Sequence, residues 1–275
     1  MSIDAHQHFW QLRRAECRWP TAELQPIHRD FAPAELAPLA AAAGVTGTVL
    51  VQSQPDDRDT DFLLELASAT PLVRAVVAWV DLASPTAPLR IARLARHPKM
   101  RGIRPMLQSL ADDRWLLRPE LAAAIESMLR HGLSFDALIR PRHLPHLLEF
   151  AARYPELPII VDHAAKPDLA QGVLDPWRAD LARLAQQTNV SCKLSGLVTE
   201  AAPDWKPQDL APCAEFLCRN FGTERLMWGS DWPVVNLASD YQRWFALAHD
   251  LIVGDAKATV DVFERTARRV YRMTD

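Results

Sequence analysis

Glycine is scarce in this chain of 275 residues, nine in all, and no low-complexity tract, linker or internal repeat divides it. The four cysteines, Cys17, Cys192, Cys213 and Cys218, form no CxxC pair. Too few to staple a fold of this size, they exclude a zinc ribbon or finger and point to a reduced, cytoplasmic setting. Neither sign of charge is in excess: 31 basic against 34 acidic side chains leave a net charge of -3. That removes the electrostatic footprint of a protein that binds nucleic acid or an anionic membrane. Long apolar runs are missing too. The uncharged stretch Leu36–Gln52 is interrupted by Pro38, Gly44, Thr46, Gly47 and Thr48 and falls short of the roughly 20 apolar residues that span a bilayer. The first eight residues carry Asp4, His6 and His8 where a secretory signal needs an apolar core, so export by that route is not expected. A small-molecule partner fits this composition better than a macromolecular one.

What the sequence does contain is a repeated alternation. Short apolar or β-branched runs stand at Ile3–His8, Thr48–Gln52, Ala75–Asp81, Arg101–Arg104, Ser134–Leu138, Ile159–His163, Val190–Lys193 and Leu226–Asp231. Segments with helical spacing separate them: Ala34–Ala43, Thr60–Ala69, Leu89–Arg96, Glu120–His131, His143–Tyr154, Trp177–Gln187, Gln208–Phe221, then Ser239–Leu251 and Ala256–Arg272. Pro33, Pro119, Pro141 and Pro176 sit at or beside first helical turns, where a missing N–H is harmless, and Gly44, Gly132 and Gly222 follow helix ends. Eight strands alternating with helices predict a single α/β domain over residues 1–275, a distorted (β/α)8 TIM barrel with its site at the C-terminal strand ends. The long irregular pieces Phe9–Ala32, Gln108–Arg118 and Thr199–Pro207 are candidate lids.

The expected strand ends are polar throughout: His8, Gln52, Asp81, Arg104, Asp136, His163, Lys193 and Asp231. His6 and His8 share a strand face, and with His163 and Asp231 they offer three nitrogens and one oxygen, a donor set for zinc or another divalent ion. The bland alternative is a hydrogen-bonded pair of strand histidines. Asp231 read alone suits a cap on the following helix. Arg104 and Lys193 would stand inside an apolar barrel and need anionic partners, either a ligand or an acidic side chain such as Asp136 or Asp81. Trp10 and Trp232 beside the histidines and Asp231, together with Gln52 and Asp136, are candidates to contact substrate, ordinary loop packing being the alternative for the tryptophans.

Several segments carry a resemblance that runs nearly end to end. They are Ile3-Asp4-Ala5-His6-Gln7-His8-Phe9-Trp10, Arg101-Gly102-Ile103-Arg104, Gly132-Leu133-Ser134-Phe135-Asp136, Asp162-His163-Ala164-Ala165-Lys166-Pro167, Cys192-Lys193-Leu194-Ser195-Gly196-Leu197 and Trp228-Gly229-Ser230-Asp231-Trp232-Pro233. Together they resemble the amidohydrolase superfamily, and within it the amidohydrolase 2 branch that holds sugar lactonases of the L-fuconolactonase and L-rhamnonolactonase type. The resemblance implies hydrolysis of a sugar-acid lactone, with Asp231 activating a water and His163, Arg104 and Lys193 polarising the carbonyl. It implies either one divalent ion, zinc by preference, on His6, His8, His163 and Asp231, or a site that works without metal. Lys193 stands where a dinuclear member would offer a further ligand. A decarboxylase, a hydrolase of another ester, and a non-catalytic sugar-binding protein are the competing readings. Ser230 is not expected to act as a nucleophile, since alternation turns it away from the Asp231 face and no Gly-x-Ser-x-Gly elbow exists. Oligomeric state is not legible.

Overall fold

The computed structural model describes residues 1–252 and 255–273. Eight parallel strands run in chain order around a TIM barrel: β1 (Ser2–Gln7), β2 (Val45–Val51), β3 (Val73–Ala78), β4 (Met100–Ile103), β5 (Ser134–Ala137), β6 (Ile159–Val161), β7 (Ser191–Leu194) and β8 (Leu226–Trp228). Around them lie α1 (Pro33–Ala42), α2 (Asp57–Ala69), α3 (Ala87–Leu94), α4 (Ala122–His131), α5 (Leu144–Arg153), α6 (Asp175–Gln187), the single turn α7 (Leu197–Glu200), α8 (Pro207–Phe221), α9 (Tyr241–Leu251), α10 (Ala256–Val260) and α11 (Thr266–Val270). The ladder closes between β8 and β1 only at the mouth. There Asp231 N–H donates to His6 O and His8 N–H to Trp232 O, both at 2.8 Å. The hydrogen bonds that close the barrel thus run through the residues that flank His6, His8 and Asp231.

The barrel interior is packed with Ile3, Ala5, Val49, Val51, Ala75, Val77, Ile160 and Met227, and Ala267 and Tyr271 of the C-terminal segment join this cluster. Strict alternation would put Ile3 and Ala5 on one face of β1 and His6 and His8 on the other. A β-bulge removes the conflict: three steps from Asp4 to Gln7 oppose two from Thr48 to Leu50. The extra residue swings His6 and His8 inward above the apolar layer, a bulge of the kind that re-aims a side chain. Asp4 points outward and stitches the closure, accepting from His6 N–H (3.1 Å), Ser230 N–H (2.8 Å) and the Tyr241 hydroxyl of α9 (3.2 Å).

Two expectations need correction. Strand β3 stops at Ala78, and Asp81 is an exposed turn residue whose Oδ1 accepts from Ala83 N–H, so the third strand brings no polar side chain to the mouth. The C-terminal helix expected over Ala256–Arg272 is broken by a π-helical turn at Asp261–Arg265 and ends at Val270. The predicted glycine caps hold: Gly44, Gly132 and Gly222 all have positive φ.

Candidate active site

His6, His163 and Asp231, all buried, present ligand atoms within 4.8 Å of one another. His8 abuts two of them, its Nε2 lying 3.1 Å from His6 Nε2 and 3.3 Å from Asp231 Oδ1. Asp231 Oδ1 lies 3.8 Å from His6 Nε2 and 3.9 Å from His163 Nε2. His8 Nδ1 donates to Val51 O at 2.8 Å, which leaves its Nε2 with a lone pair. Asp231 Oδ1 is buried and has no hydrogen-bond donor. Acceptor atoms thus converge on one point, an arrangement that calls for a cation. Donors about 2.0–2.1 Å from a tetrahedral zinc stand roughly 3.3 Å apart, so the spacings of 3.1 to 3.9 Å suit a single divalent ion.

The backbone is bent to make this possible. His163, Ala164, Ala165 and Lys166 all lie in the left-handed region (φ 50°, 51°, 61° and 53°), and so does Asp231 (φ 56°). Each costs about 1–2 kcal/mol in a non-glycine residue. The first turn is held by the Trp177 indole N–H donating to Ala164 O at 2.7 Å and by the Lys166–Glu200 ion pair at 3.2 Å. Two glycines give the imidazoles room: a Cβ on Gly196 would lie 2.8 Å from the His163 ring, and one on Gly229 2.7 Å from His6 Cβ.

Beneath the donor set lies a dry network of charges. Lys193, fully buried, donates to Asp136 Oδ2 at 2.7 Å and reaches Asp162 Oδ1 at 2.9 Å. Asp136 also accepts from Ser134 Oγ (2.9 Å) and from the Tyr271 hydroxyl. Arg104 Nη1 lies 3.2 Å from Asp162 Oδ2 and 3.3 Å from His6 Nε2, while Nη2 donates to Gln52 O. His6 Nδ1 faces Asp162 Oδ1 at 3.5 Å and Lys193 Nζ at 3.1 Å. His163 Nδ1 meets Ser195 Oγ at 2.9 Å.

The protonation states follow from this geometry. Burial pushes the Asp231 carboxyl up, and the imidazoles of His163, His8 and His6 more than reverse that, holding it well below the usual carboxylate range. Burial pushes His163 down to about 4 and, with the neighbouring Lys193, drives His6 far down as well. At neutral pH the donor set therefore holds a carboxylate with neutral His6 and His163, as a metal ion or a general base requires. For Asp162, burial raises the carboxyl, but Lys193, His6 and Arg104 outweigh it and keep it ionised.

Among the residues singled out by sequence, the mouth brings together His6, His8, Arg104, His163 and Asp231. Lys193 and Asp136 lie one layer deeper, occupied with each other. Gln52 is buried at the end of β2, donating through Nε2 to Arg104 O at 2.9 Å, with Oε1 unpartnered. Trp10 and Trp232 are 1% and 2% exposed, wedged against Phe31, so they form walls and present no open face. Asp231 does not cap a helix through its side chain. Ser230 points away, its Oγ donating to His6 O and accepting from Trp232 N–H. Alternation along the strands gave no hint of Asp162, because the left-handed turn after β6 brings Asp162 and His163 into the same mouth. Ser195 and Tyr271 offered no local signal.

A barrel with an HxH on its first strand, a histidine after its sixth and an aspartate after its eighth defines a class of metal-competent hydrolase scaffolds. The amidohydrolase family model matches residues 3–273, and the chain belongs to that family. It is similar to an L-fucono-1,5-lactonase of Burkholderia ambifaria, at 52% identity over 98% of this chain and 95% of that protein. A second L-fucono-1,5-lactonase, from Burkholderia multivorans, is 36% identical over 97% of this chain and 92% of its own length. Crystal structures of a Burkholderia multivorans amidohydrolase, one with bound HEPES and one with bound zinc, superpose with a TM-score of 0.94 at 36% identity, covering both chains completely.

Proposed function

We propose that this protein is a hydrolase that opens a sugar-acid 1,5-lactone of the L-fucono-1,5-lactone kind to the open-chain acid, acting in the cytoplasm as one domain over residues 1–275. The observation that carries the reading is the pairing of 52% identity to an L-fucono-1,5-lactonase with a mouth where an ionised Asp231 faces three imidazoles and Arg104 sits against one of them, His6. Asp231 takes a proton from water as the water oxygen adds to the lactone carbonyl. Arg104 and His163 face the oxygen that gains charge, an effect worth several kcal/mol in a dry site. The tetrahedral adduct then collapses: the bond from carbonyl carbon to ring oxygen breaks, and Asp231 returns the proton to that alkoxide, so one group serves both halves.

Lys193 and Asp136 act through others. Lys193 neutralises Asp162 and Asp136 and fixes the floor on which His6 and Arg104 rest, and it does not touch substrate. Gln52, with an unpaired acceptor beside Arg104, binds a substrate hydroxyl. Trp10 and Trp232 shape the wall. His6, His163 and Asp231, with His8 beside them, would hold one divalent ion, zinc by preference. When bound, that ion supplies Lewis-acid polarisation of the carbonyl and a water of lowered pKa. The partner is a small neutral lactone; among the described residues no helix is long and apolar enough to cross a membrane.

A pH-stat panel of five- and six-membered sugar lactones tests the assignment. Acid release from the six-membered L-sugar lactones, saturating with concentration, is expected. Lactone binding without turnover would leave a sugar-binding protein, and carbon dioxide release from aromatic acids would select a decarboxylase; either result overturns the reading.

A further inference from the structure

We propose that the Arg104 guanidinium and a divalent cation are alternative partners of His6, so that Arg104 sets how tightly this site holds metal. The inference rests on the donor set named above. Arg104 Nη1 lies 3.3 Å from His6 Nε2, the nitrogen that also faces Asp231 Oδ1 at 3.8 Å and His8 Nε2 at 3.1 Å. A guanidinium has donors only, and a neutral imidazole offers one lone pair. His6 Nδ1 stands between Asp162 Oδ1 at 3.5 Å and the Lys193 ammonium at 3.1 Å, so it either donates toward Asp162 or accepts from Lys193. Binding a metal through Nε2 requires the tautomer with the proton on Nδ1, and in that tautomer the single lone pair goes to Arg104 or to the metal, never to both.

Arg104 is not free to step aside without consequence. It is 3% exposed, and its other contacts are Asp162 Oδ2 at 3.2 Å and the Gln52 carbonyl. Both anchors lie at the mouth and hold a full positive charge against the pocket. With Lys193 behind His6 as well, an incoming dication meets two fixed cations within a residue's length. The counter-charge nearest the pocket is Asp231, since Asp162 and Asp136 are already matched by Arg104 and Lys193. Arg104 therefore lowers the affinity for a divalent ion in two ways: it occupies a ligand atom and it opposes the ion's charge. The site carries a built-in electrophile, and metal is bound in competition with it.

Zinc affinity measured against a chromophoric chelator, with no substrate present, tests this directly. Arg104→Met should bind zinc at least tenfold more tightly than the wild type, and Arg104→Lys, which keeps the charge but not the fork, should fall between the two. Equal or weaker affinity in Arg104→Met, with its near-ultraviolet circular dichroism intact, would overturn the proposal. Should that variant not fold, a crystal structure of the zinc-soaked wild type decides: Arg104 Nη1 is expected to leave hydrogen-bond reach of His6 Nε2, and an unmoved contact with zinc on the same nitrogen refutes it. Neither readout depends on turnover. A wild type that opens no lactone but obeys these affinities would sink the functional reading alone, and an active enzyme whose Arg104→Met variant shows unchanged affinity would sink this inference alone.

Discussion

At Asp231 a single atom, Oδ1, is surrounded by imidazole nitrogens and has no donor of its own. Asp231→Asn keeps the shape but replaces a basic oxygen with an amide. We expect kcat for the best lactone to fall by about a hundredfold or more, the scale of a general-base contribution, with the melting temperature little changed. A near wild-type rate in steady-state assays would remove the base assignment. Tyr271 makes a different point. Its hydroxyl donates to Asp136 Oδ2, the same oxygen that accepts a hydrogen bond from Lys193 Nζ. Tyr271→Phe leaves a buried carboxylate short of one charge-assisted bond and should cost about 1–3 kcal/mol in chemical denaturation. A stability loss below about 0.5 kcal/mol would mean the floor network tolerates the gap.

The elements that matter most are the shortest. The left-handed turn His163–Lys166 and the bulge in β1 each reverse the face that alternation assigns, and each does so beside the site. The turn works only because its neighbour is small: Gly196, at φ 66°, lets the His163 ring lie where a Cβ would stand 2.8 Å away. Gly196→Ala must both strain a positive-φ residue and push the imidazole off Asp231. We expect about 1–3 kcal/mol of destabilisation and at least a tenfold loss of kcat/KM. Unchanged kinetics would show that His163 can be displaced without consequence.

Stability of the whole molecule is tied to pH through buried carboxyls outside the mouth. Asp59, in the first turn of α2, accepts from the N–H groups of Ser53 and Gln54 at 3.1 Å, and burial lifts its pKa from 3.8 to about 6. Because the folded state holds this proton more tightly, its contribution is complete below pH 3.8 and is lost as pH rises through about 6. A shift of this size corresponds to about 3 kcal/mol, reduced by the favourable placement of an anion at a helix N-terminus. Asp59→Asn keeps an acceptor oxygen without the charge. It should melt above the wild type at pH 8, and the advantage should vanish near pH 4. Parallel melting curves across that range would show that Asp59 stays ionised in the fold at no cost.

The barrel and most of its mouth were legible in the sequence, because apolar runs, helix spacing and proline and glycine punctuation are local signals, and because His6, His8, Arg104, His163 and Asp231 fall at or next to strand ends. Local signals do not report direction once the backbone departs from regular pleating. Asp162 therefore gives no local signal, Asp81 reads as a strand end although β3 stops at Ala78, and the bulge that reconciles Ile3 and Ala5 with His6 and His8 is invisible to alternation. Tyr271 lies 135 positions from Asp136 and meets it only because the C-terminal segment packs beneath the barrel. Which cation answers which carboxylate was likewise a tertiary decision. Lys193 and Arg104 had to find partners because burying either alone is prohibitive. The partner each found, Asp136 with Asp162 for one and Asp162 for the other, depends on how closing a ring of eight strands aims their side chains.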